Sequence, residues 1–475
     1  MKNENLAALL PEIALLTAAV VGLLAGSWLP RRRQWAVAVL AAAACLTGLV
    51  ATAVTMATDR EQMVFSAAFA VDAATNAGRL IMLGALLLIL ATSVETVRRH
   101  KRESEYYVLL LLSAAGALAM IGASDLLMLF AGYLLASVPA YALAGFAKDA
   151  PATEAAMKYY LMGAVLGTTM LAGIALLYGV GSATAYTQLH TTLPAAPYAV
   201  VALGLVAVLG GLLFKIGAVP AHFWVPDVTD GTPAPIAAYV TTLPKIGGLI
   251  AAFRLVHQAL PMETVNWPLL LAVLAAVCMT LGNLAAFFQT SVKRLLAYST
   301  ISQVGYLLMA VAVATRSDLA QRGLLFYLAA YALTNLGAFA VVTELPHART
   351  LDDYRGLARR HPGLAAVLVV CLLGFVGTPP TGVFLGKLEV FSAAIDGGYT
   401  WLAALAVANT VASLFYYLRW LAPLFRLAPG DQPAQAQAAL GRWSATAAYT
   451  AGTASLVLGI AGGAAIPLTL GPLLR

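Results

Sequence analysis

Residues 374–387 read Gly-Phe-Val-Gly-Thr-Pro-Pro-Thr-Gly-Val-Phe-Leu-Gly-Lys, in the middle of an apolar run near 363–394. That run is too long for one straight crossing of a bilayer, which takes about 20 residues at a rise of about 1.5 Å each. Two adjacent prolines among glycines must break the helix, because proline lacks an amide donor and clashes with the carbonyl four residues back. The stretch from Gly210 through Lys215 to Pro220 is interrupted in the same way, and each break has a lysine beside it. Two broken, charged helices at roughly corresponding places in two halves of a chain point to an inverted-repeat transporter.

The whole chain agrees with a membrane protein. Of its 475 residues, 61% are apolar and 10% charged, and mean hydropathy is +0.84, whereas soluble domains carry about a quarter of their residues as charges. Runs such as 80–90 and 366–373 do not alternate, which excludes a transmembrane β-barrel. The fold class is therefore an all-α polytopic membrane protein of about fourteen spans, built as two inverted five-helix repeats whose broken helices are spans 7 and 12. The expected divisions are 1–104 for three leading helices, 105–260 for the first repeat (spans 4–8), 261–427 for the second (spans 9–13) and 428–475 for a last helix. No residue-level repeat is visible, so this pairing rests on the breaks and the span count.

The net charge of +7 falls in short clusters between spans, including Arg31–Arg33, the group from Arg98 to Arg102, and Arg355 to Arg360. Odd-numbered loops hold most of the basic residues, while even loops and termini hold only Lys2, Arg60, Arg316, Arg322 and Arg475. By the positive-inside rule the odd loops face the cytoplasm and both termini lie outside. The charge is thus topology, not a nucleic-acid surface. Cys45, Cys278 and Cys371 stand far apart in apolar runs with no CxxC pair, so they read as packed thiols and not as cluster or zinc ligands. No GxGxxG stretch suggests a nucleotide site. The first span, interrupted by Pro11 and Glu12 and followed by its basic cluster, reads as retained and not as a cleaved leader.

Lys158, Lys215, Lys245 and Lys387 fall inside or at the margin of predicted spans. An ammonium in hydrocarbon is penalised by at least about 2.5–3.5 kcal/mol, so such residues face the bundle interior or water. Desolvation disfavours the charged form and a neighbouring charge moves the balance either way, so a lysine placed like this can take up and release a proton near neutral pH. Lys158, just inside a span end, is the one that best fits a snorkelling side chain. His222, in Pro220-Ala-His222-Phe-Trp-Val-Pro-Asp227, offers either a proton relay or a packed hydrogen-bond donor, and no second histidine stands at metal-ligand spacing. Tyr298, Ser299, Ser302 and Gln303 form a polar stripe that either lines a water path or packs helices together. Arg79 and Arg254 read as span-end anchors, and Asp227 and Asp230 as solvated turn residues. Glu389, two residues from Lys387, is about 200° around the helix and is not expected to pair with it.

These residues also carry a family resemblance. The stretch 214–249, Met157-Lys-Tyr-Tyr160 with Gly163-Ala164, Lys293-Arg-Leu-Leu-Ala-Tyr-Ser299-Thr-Ile-Ser-Gln-Val-Gly305-Tyr, Asp352-Asp-Tyr-Arg-Gly-Leu357 and Gly377-Thr-Pro-Pro-Thr-Gly-Val-Phe-Leu-Gly-Lys387 together resemble the N subunit of bacterial NADH:quinone oxidoreductase, respiratory complex I. The likeness covers nearly the whole chain. It implies an antiporter-like, multi-pass subunit of the bacterial inner membrane that moves protons in response to redox chemistry elsewhere, with no redox centre of its own. NADH, FMN, iron-sulfur clusters and quinone would sit on partners, which include the M, K, A and J subunits and the peripheral arm. Lys215 looks like the lysine of broken helix seven, Lys245 like the connecting lysine of helix eight, Lys387 like that of broken helix twelve and Lys158 like that of helix six. His222, Tyr298 and Ser302 stand as secondary proton-path candidates.

One departure is clear. The family carries a glutamate in helix five, in a motif like G-L-E-L-x-S, where this chain has Gly132-Tyr-Leu134-Leu-Ala-Ser137. Leu134 takes the place of the acid, no carboxylate stands between Leu126 and Lys148, and Asp125 lies about 13 Å away along the axis. The departure leaves open an altered or second-copy N subunit. Two other readings stay open beside pumping: an Mrp-like cation/proton antiporter subunit, and a non-pumping structural subunit of the membrane arm.

Overall fold

The computed structural model describes residues 5–58, 60–98, 100–260, 265–426 and 441–474. Lys2, Arg99 and Arg475 of the charge argument, and the proposed division at 427/428, lie outside the described residues. The chain runs through α1 (Leu10–Trp28), α2 (Trp35–Ala57), a small antiparallel hairpin of β1 (Gln62–Val64) and β2 (Phe69–Val71), α3 (Ala73–Val97), α4 (Glu103–Gly122), α5 (Leu126–Ala144) and α6 (Ala150–Gly181). It continues through α7 (Tyr186–Thr192), α8 (Tyr198–Ile216), α9 (Trp224–Gly231), α10 (Ala234–Gln258), α11 (Trp267–Ala286), α12 (Val292–Ala312) and α13 (Leu319–Glu344). The last part holds α14 (Leu357–Arg360), α15 (Pro362–Val376), α16 (Gly382–Asp396), α17 (Thr400–Phe425), α18 (Arg442–Ile460) and α19 (Gly462–Ala465).

Among the described residues, twelve helices are long and apolar enough to cross a membrane. α18 with its continuation to Thr469, bent by 88°, adds a thirteenth by the same measure. α15 is apolar but has 15 residues, short of a full crossing, and α16 follows it across the break. Local chemistry sets the starts: the carboxylates of Asp72, Asp125 and Asp149 accept backbone N–H groups at the beginnings of α3, α5 and α6.

α10, α12 and α13 are enclosed almost all round and form the centre, whereas α1, α2 and α6 turn apolar side chains outward. A helix apolar on every side belongs in such a centre, and one facing lipid needs no polar stripe. The polar residues drawn into this centre therefore stand out.

Arg254 of this centre and Arg79 of α3 correct the expectation that they anchor span ends. Both are fully buried. Arg254 makes a two-pronged pair with Asp72, 2.8 Å on each arm, and reaches Thr75 Oγ1 at 2.9 Å. Arg79 binds both oxygens of Glu12 at 2.8 Å and the Ala8 carbonyl at 3.0 Å. Partners 182 and 67 residues away supply the compensation that a charge inside a membrane protein needs.

Candidate functional site

Both breaks are built alike. α8 ends where Gly217 takes φ +74°, and α15 ends where Gly377 takes φ +88°, backbone that favours glycine. Each glycine is followed three residues later by a proline after a cis bond, Val219–Pro220 and Pro379–Pro380. A lysine ammonium lies against each glycine: a Cβ on Gly217 would stand 3.4 Å from Lys245 Nζ, and one on Gly377 would stand 2.9 Å from Lys387 Cδ and 3.8 Å from its Nζ. Glycine thus serves twice, for its backbone angle and for the room it leaves.

Lys215 sits in the last turn of α8, 1% exposed. Its ammonium donates to Ser137 Oγ of α5 at 2.9 Å and lies 5.7 Å from the centre of the Tyr133 ring. Its stem packs toward Gly248 of α10, three residues on from Lys245. α5 thus does supply the partner of Lys215, but as a hydroxyl: Leu134, one turn before Ser137, points outward at 43% exposure.

Lys245 lies at the middle of α10, with no exposed surface. Pro244 inside this helix has no N–H for the carbonyl four residues back, that of Val240. Lys245 Nζ takes that carbonyl at 2.9 Å and stands 4.9 Å from the centre of the Trp224 ring. Lys387 uses the same device at a helix end. Its ammonium donates to the last carbonyls of α15, Phe375 O at 3.0 Å and Val376 O at 2.9 Å, groups that a terminating helix leaves unpaired. Thr410 Oγ1 at 3.4 Å and the Tyr306 ring at 4.2 Å complete its surroundings. All three ammoniums are therefore held by neutral oxygens and rings, a setting in which neither the charged nor the neutral form is locked by a counter-ion.

Lys158 is placed differently. Its side chain is 44% exposed and forms ion pairs with Glu154 at 2.7 Å and Asp227 at 2.8 Å. Asp227 also pairs with Arg294 at 2.9 Å, so it joins α6, α9 and α12 and is not a solvated turn residue. Asp230 is likewise engaged, accepting from Ser291 Oγ at 2.8 Å while Lys293 Nζ takes its backbone carbonyl. Glu389 pairs with Arg322 at 2.7 Å and not with Lys387.

Among the secondary candidates, His222 is buried beside Phe223, with no protein hydrogen-bond partner for Nδ1 among the described residues. Ser302 is buried, and Tyr298 is half-buried where α12 crosses Gly282 of α11. Sequence reasoning missed the polar groups between Lys245 and Lys387. Tyr331 OH reaches the Thr241 carbonyl at 2.8 Å and Thr300 Oγ1 at 3.0 Å, and Asn335 donates to the hydroxyls of Thr241 and Thr242 at 2.9 and 2.8 Å. Tyr327, Tyr331 and Asn335 recur every four residues along α13, a one-face spacing that was readable in the sequence.

Membrane-crossing helices, two glycine-broken helices and buried lysines on neutral oxygens together define an antiporter-like membrane subunit. Residues 123–413 match the family described as NADH:quinone oxidoreductase/Mrp antiporter, TM. The chain is 56% identical to NADH-quinone oxidoreductase subunit N 1 of Streptomyces griseus subsp. griseus over 461 residues, 97% of each chain. It is 52% identical to NADH-quinone oxidoreductase subunit N of a Mycobacterium species, covering 95% of this chain and 96% of that one. Its fold superposes on a chain of respiratory complex I from Thermus thermophilus with a TM-score of 0.83 at 30% identity, covering 97% of this chain and all of that one. The chain belongs to the subunit N family of NADH-quinone oxidoreductases.

Proposed function

We propose that this chain is the proton-translocating N subunit in the membrane arm of an NADH:quinone oxidoreductase, and that protons move through Lys215, Lys245 and Lys387. The observation that carries the reading is the placement of these three lysines, each buried, each at a break or proline-freed carbonyl, and each without a carboxylate partner among the described residues. An ammonium so held can lose its proton without leaving a counter-ion stranded, and unit charges several ångströms apart at an effective dielectric of about 20 still interact by more than about 1 kcal/mol. Protonation at one lysine therefore biases the next. In this reading Lys158 acts through its pair with Asp227, fixing α9 at the cytoplasmic end of the path.

The shared glycine-to-proline spacing at residues 217–220 and 377–380 supports pairing α4–α10 with α11–α17 as inverted repeats. NADH, flavin, iron-sulfur clusters and quinone belong to partner subunits, and neighbours in the membrane include the M and K subunits. The chain lies in the bacterial inner membrane with both termini outside. Native purification of the tagged chain, with mass spectrometry of what accompanies it and an NADH:quinone assay on the same fraction, tests this. Oxidoreductase subunits with quinone reduction are expected; recovery with cation/proton antiporter subunits and no redox activity would overturn the reading.

A further inference from the structure

We propose that Gln303 is a positioning residue for Lys387, sharing the Phe375 carbonyl with it and so setting how firmly that ammonium keeps its proton. The inference rests on the reading in which Lys387 carries protons. Gln303 lies on α12, 1% exposed, and its side-chain nitrogen donates to Phe375 O at 3.0 Å. A carbonyl only accepts, so the amide must present its nitrogen there. Its oxygen then receives the Tyr327 hydroxyl at 2.5 Å, which fixes the amide from the other side.

Phe375 is the penultimate residue of α15, and at this helix end Gly377 and Thr378 turn their N–H groups back to Leu373 and Gly374. The Phe375 carbonyl is thus filled by two side-chain donors, the Lys387 ammonium and the Gln303 amide. When Lys387 gives up a proton its pull on this carbonyl weakens, yet Gln303 keeps the carbonyl bonded. A buried carbonyl is costly to leave unpaired, so the amide makes the neutral state of Lys387 easier to reach. At the first break the indole N–H of Trp224 serves the Phe214 carbonyl at 3.2 Å in a comparable way.

The titratable groups around Lys387 are tyrosines: Tyr306 of α12, Tyr327 and Tyr331 of α13, and Tyr417 of α17. Charged residues on the packed helices stand toward helix ends, namely Lys293 and Arg294 of α12, Arg322 and Glu344 of α13, Arg419 of α17 and Arg442 of α18. On α16 itself Glu389 is taken by Arg322, and Asp396 accepts from Ser317. Gln303 accordingly shares an acceptor with Lys387 without bringing a charge of its own.

The test is proton pumping per NADH oxidised, measured against pH in inverted membrane vesicles containing the full complex. Gln303→Leu should move the alkaline limb of pumping upward by about half to one pH unit, because the carbonyl then depends on the ammonium. Gln303→Glu should shift it further and suppress pumping at neutral pH, since a carboxylate holds the ammonium. Tyr327→Phe, which keeps the volume and frees the amide to turn its oxygen toward Lys387, should give a smaller shift in the same direction. Assembled Gln303→Leu or Tyr327→Phe complexes whose pH profile superimposes on the wild type would overturn the inference. Lys387→Ala in the same vesicles separates the two levels: if it pumps like the wild type the proton-path reading fails, and if it does not, an unshifted Gln303 profile defeats the positioning role alone.

Discussion

Replacing Pro244 by alanine returns one N–H to the middle of α10, and its consequences are set by the geometry around Lys245. In the native chain the Val240 carbonyl has no helical donor, because residue 244 is proline, and Lys245 Nζ takes it at 2.9 Å. An alanine amide would form the ordinary bond four residues back and compete for that oxygen. A hydrogen bond to a charged group is worth about 1.5–3 kcal/mol net, and sharing the acceptor forfeits part of it, so the ammonium becomes easier to deprotonate by up to about one to two pH units. Helix propensity works the other way, since proline in a helix interior costs about 3 kcal/mol relative to alanine. The variant should therefore assemble at least as well as the wild type while its pumping profile, measured by NADH-driven acidification of inverted vesicles, moves to lower pH. Full assembly with an unmoved profile would refute the idea that proline frees this carbonyl for Lys245.

Three further outcomes follow from the same contacts. Lys215→Ala and Lys387→Ala should each lower pumping per NADH more than they lower the amount of assembled complex on a native gel, whereas a merely structural lysine would show the reverse. Arg254→Ala leaves Asp72 buried without its two-pronged partner, a loss of about 3–5 kcal/mol that should appear as depleted complex and a lowered melting temperature. Leu134→Glu places an acid on α5 one turn from Ser137, the present partner of Lys215; the proton-to-NADH ratio should change, and an unchanged ratio would show that this position does not act on Lys215.

What the sequence made legible was local. Gly217 with Pro220, and Gly377 with Pro380, interrupt helices within a few residues of themselves, so the breaks and the lysines beside them could be read from spacing alone. Pro244 likewise announces a free carbonyl next to Lys245. The ion pairs were not legible, because they join distant segments: Arg254 finds Asp72 182 residues away, and Asp227 is held from α6 by Lys158 and from α12 by Arg294. Lys158 shows the same limit from the other side. Its sequence context grouped it with the intramembrane lysines and also marked it as the one best suited to snorkel; Glu154, one turn earlier on α6, was readable, but the approach of Asp227 from α9 was not. The departure at Leu134 was readable as a missing acid, but that Ser137 is the hydrogen-bond partner of Lys215 needed the approach of the end of α8 to α5.

The central claim is that protons pass through the chain of buried lysines, and Lys245, between the two breaks, is where it is most exposed to test. The number of protons moved per NADH oxidised should be measured for purified complex in proteoliposomes, wild type against Lys245→Ala. The account predicts a lower ratio in the variant while NADH oxidation by quinone continues; equal ratios in the two would contradict it.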